Sequence, residues 1–513
     1  MPPKKNIAPK KISKKEQDIT ESSDYKSETE SENNIILKPT KTESIESTSV
    51  SMDELEKKTI KYKPIVVSLP NVMDKKDNII NLEIEPKYSI NIDYPRFDLG
   101  FHHYIHASKD KMEILNDFEG KKKVYLVTNE FERYVDDYEN TIDQACFNYF
   151  QLQNKPKILS RGFFKLWELL MMFDLISVDQ SDFISAHLAE GPGSFIQATM
   201  FFREMYCKNA KSDKYHAVTL HSENEKEHVP PLEDEFVKFY DKEKPQRFVL
   251  HKTYPKQVAG GFADKDNGDI MDPKTIKLFG GQVNDKVDFI TADGGFNWKN
   301  ENTQEQESFK LIFGQIVGAI KLQKKGGSFV CKFFETFAIV SAKFLLILSS
   351  FYENVHLIKP LMSRPSNSEK YAVCTGFKFN DKDKEYQQAV KKLEQVLEKS
   401  HKTNTNLVDL FPEYNVEPNF LICLAYLNSE IANRQLISIN NILKFIQSHD
   451  YYGDAYLMNR EMQVNASKFW ISTFLPQKDK LKEVRKMLSD AIDVGIKRSD
   501  NAIQHLKNVL IYN

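Results

Sequence analysis

The chain is short of cysteine. Its five, Cys146, Cys207, Cys331, Cys374 and Cys423, are scattered over 513 residues with no Cys-x-x-Cys pair. That leaves no disulfide framework. Thiols set in apolar runs such as Phe329-Val330-Cys331 are expected reduced and buried, in a reducing intracellular compartment. Neither charge is in excess, since 71 Lys and Arg face 73 Asp and Glu for a formal net charge of -2. Binding to nucleic acid must therefore come from a local basic patch. No secretory signal is expected, because Met1 opens onto Pro and Lys instead of an apolar core. The most apolar run, Phe337 to Phe351, carries Lys343 and falls short of the ~20 residues that cross a bilayer. It is expected as a buried helix, with no membrane partner. What the chain does have is core material. Hydrophobic residues make up 41% and aromatics 12%, over a length that suits two or three domains of ~100–200 residues.

Residues 1–60 are rich in Lys, Glu, Ser and Thr and poor in aromatics. Such a segment cannot bury enough apolar area to offset chain entropy, and a disordered tail is expected. Its early lysines suit a solvated tail, an RNA contact or a sorting signal. Residues 61–150 are expected as an N-terminal α+β region with strands in IVVSLP, NLEIEPKYSINI and KVYLVTN. There His102, His103 and His106 lie in FHHYIHASKDKM, where histidines at i and i+4 can share a helix face and hold a metal. The nearby sequence supplies no Cys or acidic partner, so packing or RNA contact is expected and no metal.

Residues 151–380 alternate. RGFFKLWELLMMF, SFKLIFGQIVGAIKLQKK and TFAIVSAKFLLILSSFY read as helices, and FISAHLA, YHAVTL, VDFITAD, GGSFVCKFF and KYAVCTGFKF as strands. This implies an α/β fold with a doubly wound, Rossmann-like, mainly parallel sheet that binds ligands at the carboxyl ends of its strands. Residues 385–513 show helical spacing, as in Leu481, Val484, Met487, Leu488, Ala491 and Ile492. They are expected as a separate, mostly helical C-terminal region without a catalytic pattern.

One stretch organises the rest. FISAHLAEGPGSFIQA breaks from strand to helix through Glu190, Gly191, Pro192, Gly193, Ser194 and Phe195. Backbone N–H groups gathered at such a turn suit an anionic or nucleotide-like ligand, although a tight connection needs the same glycines. The loop is not a full Gly-x-Gly-x-x-Gly, which argues against a nicotinamide oxidoreductase. Four charged residues accompany it: Lys165 in FFKLWE, Asp293 in TADGG, Lys332 in GGSFVCKFF and Glu369 in SRPSNSEKY. Singly, each has an ordinary reading: the polar face of a helix, a turn cap, an edge-strand lysine and a surface carboxylate.

Together, in this chain order, they resemble the Lys-Asp-Lys-Glu tetrad of the FtsJ-like family of S-adenosylmethionine-dependent RNA 2′-O-ribose methyltransferases. HLAEGPGSFI, NGDIMDP, FITADGGF, the EQE at Glu305–Glu307 and NSEKYAVC look like the cap-specific mRNA branch and its relatives in large DNA viruses. The likeness covers about residues 100 to 380. The glycine turn departs from the bacterial rRNA-modifying members, which place an acid at the position of His187. Here the acid is Glu190.

The resemblance implies a methyltransferase acting at a ribose 2′-hydroxyl near the mRNA 5′ cap, with S-adenosylmethionine as cofactor. RNA and proteins of the capping machinery are the implied partners. It also implies that the Glu190–Phe195 loop holds the methionine and ribose end of the cofactor. Asp269, otherwise a turn or helix cap, would face the adenine, and Asp293 would touch both cofactor and tetrad. An rRNA methyltransferase and a catalytically silent RNA-binding or assembly subunit are the competing readings. The Lys-, Asn- and Ile-heavy composition and the viral likeness suit a viral source, which implies the cytoplasm, a viral factory or the virion, with the nucleus as the other compartment open to it. Chemically, a lysine with its ordinary pKa of ~10.4 stays charged at neutral pH. A second ammonium and partial burial favour the neutral form, so Lys165 is expected to help make Lys332 a base.

Overall fold

The computed structural model describes residues 62–71, 84–91, 95, 97–132, 141–220, 229–251, 267–295, 298 and 300–511. The expected tail, residues 1–60, lies outside the described residues. Among the described residues there are ten strands. They are β1 Ile65–Ser68, β2 Lys87–Ser89, β3 Ile184–Leu188, β4 Lys214–Val218, β5 Phe248–Leu250, β6 Val287–Ala292, β7 Gln323–Phe333, β8 Tyr352–Lys359, β9 Lys370–Phe377 and β10 Asn406–Asp409. Eight form one sheet in the order β1-β8-β9-β7-β6-β3-β4-β5. From β7 to β5 neighbouring strands run parallel. Helices cover both faces, so strands such as β3 and β6 are near-continuous runs of buried residues.

The other end of the sheet is antiparallel. β9 pairs with β7 and β8 in opposite directions, and β1 runs antiparallel to β8. In this register Lys332 faces Tyr371 and Phe333 faces Lys370. The start of β9 therefore lies beside the carboxyl end of β7. That reversal brings Glu369, which precedes its strand, to the edge where β3, β6 and β7 finish.

Helical patterns survive with shifted ends. The Arg161–Met172 helix begins at Ser160, whose hydroxyl accepts from Gly162 N. The helix expected over SFKLIFGQIVGAIKLQKK stops at Leu322, and Gln323 opens β7. KVYLVTN is not a strand: Val124–Thr128 is a 3₁₀ helix. Its Tyr125 and Val127 pack with Ile442, Phe445 and Ile446, a core supplied from far along the chain. β5, β8 and β10 were not foreseen, and β8 follows a helix without a polar break.

The C-terminal residues are mostly helical, through Lys384–Lys402, Pro418–Gln447, Asp454–Phe474 and Leu481–Ile511. They wrap the sheet. Ser499 Oγ donates to Val66 O on β1 at 2.8 Å, and a Cβ on Gly495 would lie 2.8 Å from Val66 Cγ1. Trp470 and Phe474 share a core with Trp167 of the Arg161–Met172 helix. Trp167 Nε1 donates to Phe474 O at 2.7 Å, so the buried indole keeps a polar partner.

Candidate active site

The turn after β3 is built around a buried carboxylate. Glu190 Oε1 accepts from Phe195 N and Ile196 N, both at 2.8 Å, and so satisfies free amides at the start of the Ser194–Tyr206 helix. Glu190 Oε2 is buried without a hydrogen-bond partner, 4.0 Å from His187 Nδ1. Burial pushes Glu190 up to about 8; Asp293 adds to this, and the two amides oppose it. Glycine is required twice here. A Cβ on Gly191 would fall 1.9 Å from Pro230 O, and Gly193 has φ +114°. Ser194 Oγ meets Ser160 Oγ at 2.7 Å, which ties this helix start to that of the Arg161–Met172 helix.

A cavity of about 380 Å³ opens beyond the turn. Gly191, Thr219, Asp269, Asp293, Trp298 and Lys332 are among its walls. Of the predicted cofactor residues, Gly191, Asp269 and Asp293 thus line the cavity. Glu190, Pro192, Gly193, Ser194 and Phe195 shape the turn and helix start. Asp269 Oδ1 also accepts from Met271 N at 2.9 Å, the turn contact expected of that sequence.

All four tetrad positions converge on this edge of the sheet, as two ion pairs. Lys165 Nζ lies 2.7 Å from Glu369 Oε1, and Lys332 Nζ lies 3.2 Å from Asp293 Oδ1. Lys332 Nζ also donates to the Asp293 carbonyl at 2.8 Å. Burial pushes Glu369 up, but Lys165 and then Lys332 outweigh it and hold the carboxyl below its ordinary value. The four side chains keep 11–22% exposure, enough for a ligand to reach them.

Sequence reasoning missed the residues that hold this arrangement. Tyr371 OH donates to Asp293 Oδ1 at 3.0 Å. Ser363 Oγ donates to Glu369 Oε1 at 2.9 Å. The supposed polar face of the Arg161–Met172 helix is turned inward. Arg161, Lys165 and Glu168, at i, i+4 and i+7, all grip the segment 361–369: Arg161 donates to Met362 O, Lys165 pairs with Glu369, and Glu168 accepts from Leu361 N and Met362 N. The spacing was a readable signal, but its buried target was not.

The histidine motif needs a correction as well. His102 and His106 do share a helix, Leu99–Asp110, with ring centroids 3.9 Å apart. The acidic partner missing from the neighbouring sequence is Glu335, whose ligand oxygen lies with the two histidine nitrogens within 4.8 Å of one another. Glu335 Oε2 is 2.8 Å from His106 Nε2, while Oε1 is taken by Lys109. Burial raises Glu335, but Lys109 and His106 bring it down to about 2. His106, Lys109 and Glu335 form a part-buried hydrogen-bonded cluster.

Residues 158–377 match the FtsJ-like methyltransferase family. It is 26% identical over 292 residues to cap-specific mRNA (nucleoside-2'-O-)-methyltransferase 2 of Drosophila melanogaster, covering 56% of this chain and 38% of that protein. It is 30% identical over 270 residues to the human cap-specific mRNA (nucleoside-2'-O-)-methyltransferase 1, covering 51% and 30%. With the Trypanosoma cruzi methyltransferase 1 it shares 32% identity over 186 residues, covering 35% and 50%. The chain thus spans half or less of each of these relatives. The matched residues, 158–377, include all four tetrad positions and the glycine turn.

Proposed function

We propose that the protein is a cap-specific mRNA 2′-O-methyltransferase, moving a methyl group from S-adenosylmethionine to a ribose 2′-hydroxyl near the mRNA 5′ cap. The observation that carries this is the meeting of Lys332 and Asp293 with the cavity beyond the glycine turn. The cavity suits the cofactor, because it opens beside the glycine turn at Gly191 and an acid, Asp269, stands in the wall. Gly191, Asp269 and Asp293 would hold it, with the turn Glu190–Phe195 setting the shape. When bound, it supplies a methyl already activated by a sulfonium. The names of the relatives direct the substrate choice to capped mRNA and not to rRNA.

The chain's own residues then have two tasks. One is to hold the ribose oxygen in line with the methyl, since alignment is worth up to about 7–11 kcal/mol in favourable systems. The other is to take the hydroxyl proton. Lys332 Nζ, facing the cavity, is the acceptor of that proton once neutral. Asp293 and Glu369 favour charged lysines, so their part is orientation: Asp293 aims Lys332, and Glu369 aims Lys165.

Five free, buried cysteines support a reducing compartment as part of this proposal, and the composition supports a viral source. Among the described residues no helix is long and apolar enough to cross a membrane. Radiolabelled methyl transfer to capped and uncapped RNA tests the reading. Incorporation that depends on the cap is expected. Incorporation into rRNA alone would move the assignment to rRNA, and none into any RNA would favour a silent scaffold.

A further inference from the structure

Residues 360–369, PLMSRPSNSE, contain one cation and one anion. The anion, Glu369, turns inward to Lys165. The rest of the segment is held from within the protein. Besides the grip of Arg161 and Glu168, buried Lys359 donates to Ser363 Oγ at 3.1 Å, Asn367 O at 2.8 Å and Glu369 O at 2.9 Å. Gln435 Nε2 donates to Ser366 O at 3.2 Å.

The cation, Arg364, is placed differently. Its Nε donates to Glu132 Oε2 at 2.7 Å, while Arg161 Nη1 donates to Glu132 Oε1 at 2.7 Å. Glu132 is buried, with a side chain 1% exposed, whereas that of Arg364 is 39% exposed. One carboxylate neutralises one arginine, and buried Arg161 already uses it. Glu132 with its two arginines therefore keeps a surplus positive charge, and Arg364 is the member that reaches solvent. Among the described residues nothing accepts from its Nη atoms. The guanidinium is held by one nitrogen with its fork left over, so much of the entropy cost of ordering the side chain is met before any ligand arrives. Its neighbour Ser363 bonds Glu369, which puts Arg364 one residue from the tetrad's hydrogen-bond network.

We propose that Arg364 binds a backbone phosphate of the acceptor RNA beside the nucleotide that receives the methyl, with Glu132 fixing its aim. This rests on the RNA methyltransferase reading above and adds the contact that registers the strand. A guanidinium fork matches phosphate oxygens in a bidentate pair. Such contacts position the strand without reading its sequence. A ribose whose 2′-hydroxyl reaches Lys332 carries its 3′ phosphate on the adjacent carbon, and the segment that carries Arg364 ends at Glu369 of the same site.

The test compares wild type, Arg364→Gln and Arg364→Lys in the full chain. It uses capped RNA oligonucleotides, with calorimetric S-adenosylmethionine binding as the control for folding. Losing one charge-assisted bond should raise the KM for RNA about tenfold. kcat at saturating RNA and cofactor affinity should stay near wild type. The salt slope of RNA binding should fall by about one. Arg364→Lys keeps the charge but loses the fork, and should give a smaller rise in KM with an unchanged slope. If Arg364→Gln does not fold, the lysine variant decides alone, and wild-type KM in it overturns the proposal. Unchanged KM and slope in folded Arg364→Gln do the same while leaving the enzyme reading intact. A wild type that methylates no RNA overturns both.

Discussion

The glycine turn after β3 and the tetrad edge beside β7 each hold a glutamate, Glu190 buried and Glu369 partly exposed, and the two behave in opposite ways. Glu190 is met by two neutral amides, and burial wins, raising it to about 8. Glu369 is met by ammonium groups, and they win, holding it below its ordinary value. Burial alone therefore does not tell what a carboxylate does. Its partner does: two amides do not offset burial at Glu190, while lysines keep Glu369 charged. Glu168 and Glu305 follow the first pattern, accepting from backbone N–H groups with raised values, and Glu335 follows the second.

The largest effect is expected on the tetrad side. Lys332→Ala should cost at least about 10³-fold in methyl transfer, toward the upper range of general-base contributions, while calorimetry shows cofactor binding near wild type. Activity close to wild type would sink the mechanism. Next comes the turn. Gly191→Ala places a methyl 1.9 Å from Pro230 O, and overpacking of this kind costs about 1–3 kcal/mol. The cofactor's dissociation constant should rise up to about 100-fold, with RNA affinity little changed. Equal losses in both would mean that the turn does not belong to the cofactor side alone.

The two glutamates give smaller, opposed effects that sharpen the contrast. Glu369→Gln removes the partner of Lys165, and kcat should fall about tenfold or more through lost alignment. Because the folded pKa of Glu369 is lowered, its contribution to stability is present above the ordinary value. It is lost as pH falls through the lowered one. Denaturation midpoints between pH 6 and 3 should drop more steeply in wild type than in Glu369→Gln. Glu190 has the opposite sign. Its raised folded pKa favours the native state below the ordinary value, and that contribution fades as pH rises through about 8. Glu190→Gln keeps an oxygen for Phe195 and Ile196 and does not titrate. Between pH 5 and 9 its midpoint should decline less than that of wild type. Parallel curves for either pair would erase the distinction between the two glutamates.

Much of the sheet was legible because its parallel strands are buried on both faces and read as apolar runs broken by turn residues. β8 was not, since Tyr352 follows Phe351 directly from helix into strand with no polar break. KVYLVTN misled because its β-branched, aromatic composition serves packing against a distant helix. The same limit hid Glu335 from the histidines and Glu132 from Arg364. In each case the partner lies more than two hundred residues away.

The sequence by itself determined which chemistry was on offer: a glycine turn between strand and helix, two lysines and two acids in order, and helices and strands in alternation. These are local facts, set by side-chain type and spacing. The tertiary structure decided what each group does with its neighbours. Reversal of β9 carries Glu369 to the edge where β7 ends, and the inward turn of the Arg161–Met172 helix makes its polar face a clasp. Only there do desolvation and partner charge act together. They leave Glu190 raised and Glu369 charged, because both depend on distances that the chain acquires by folding.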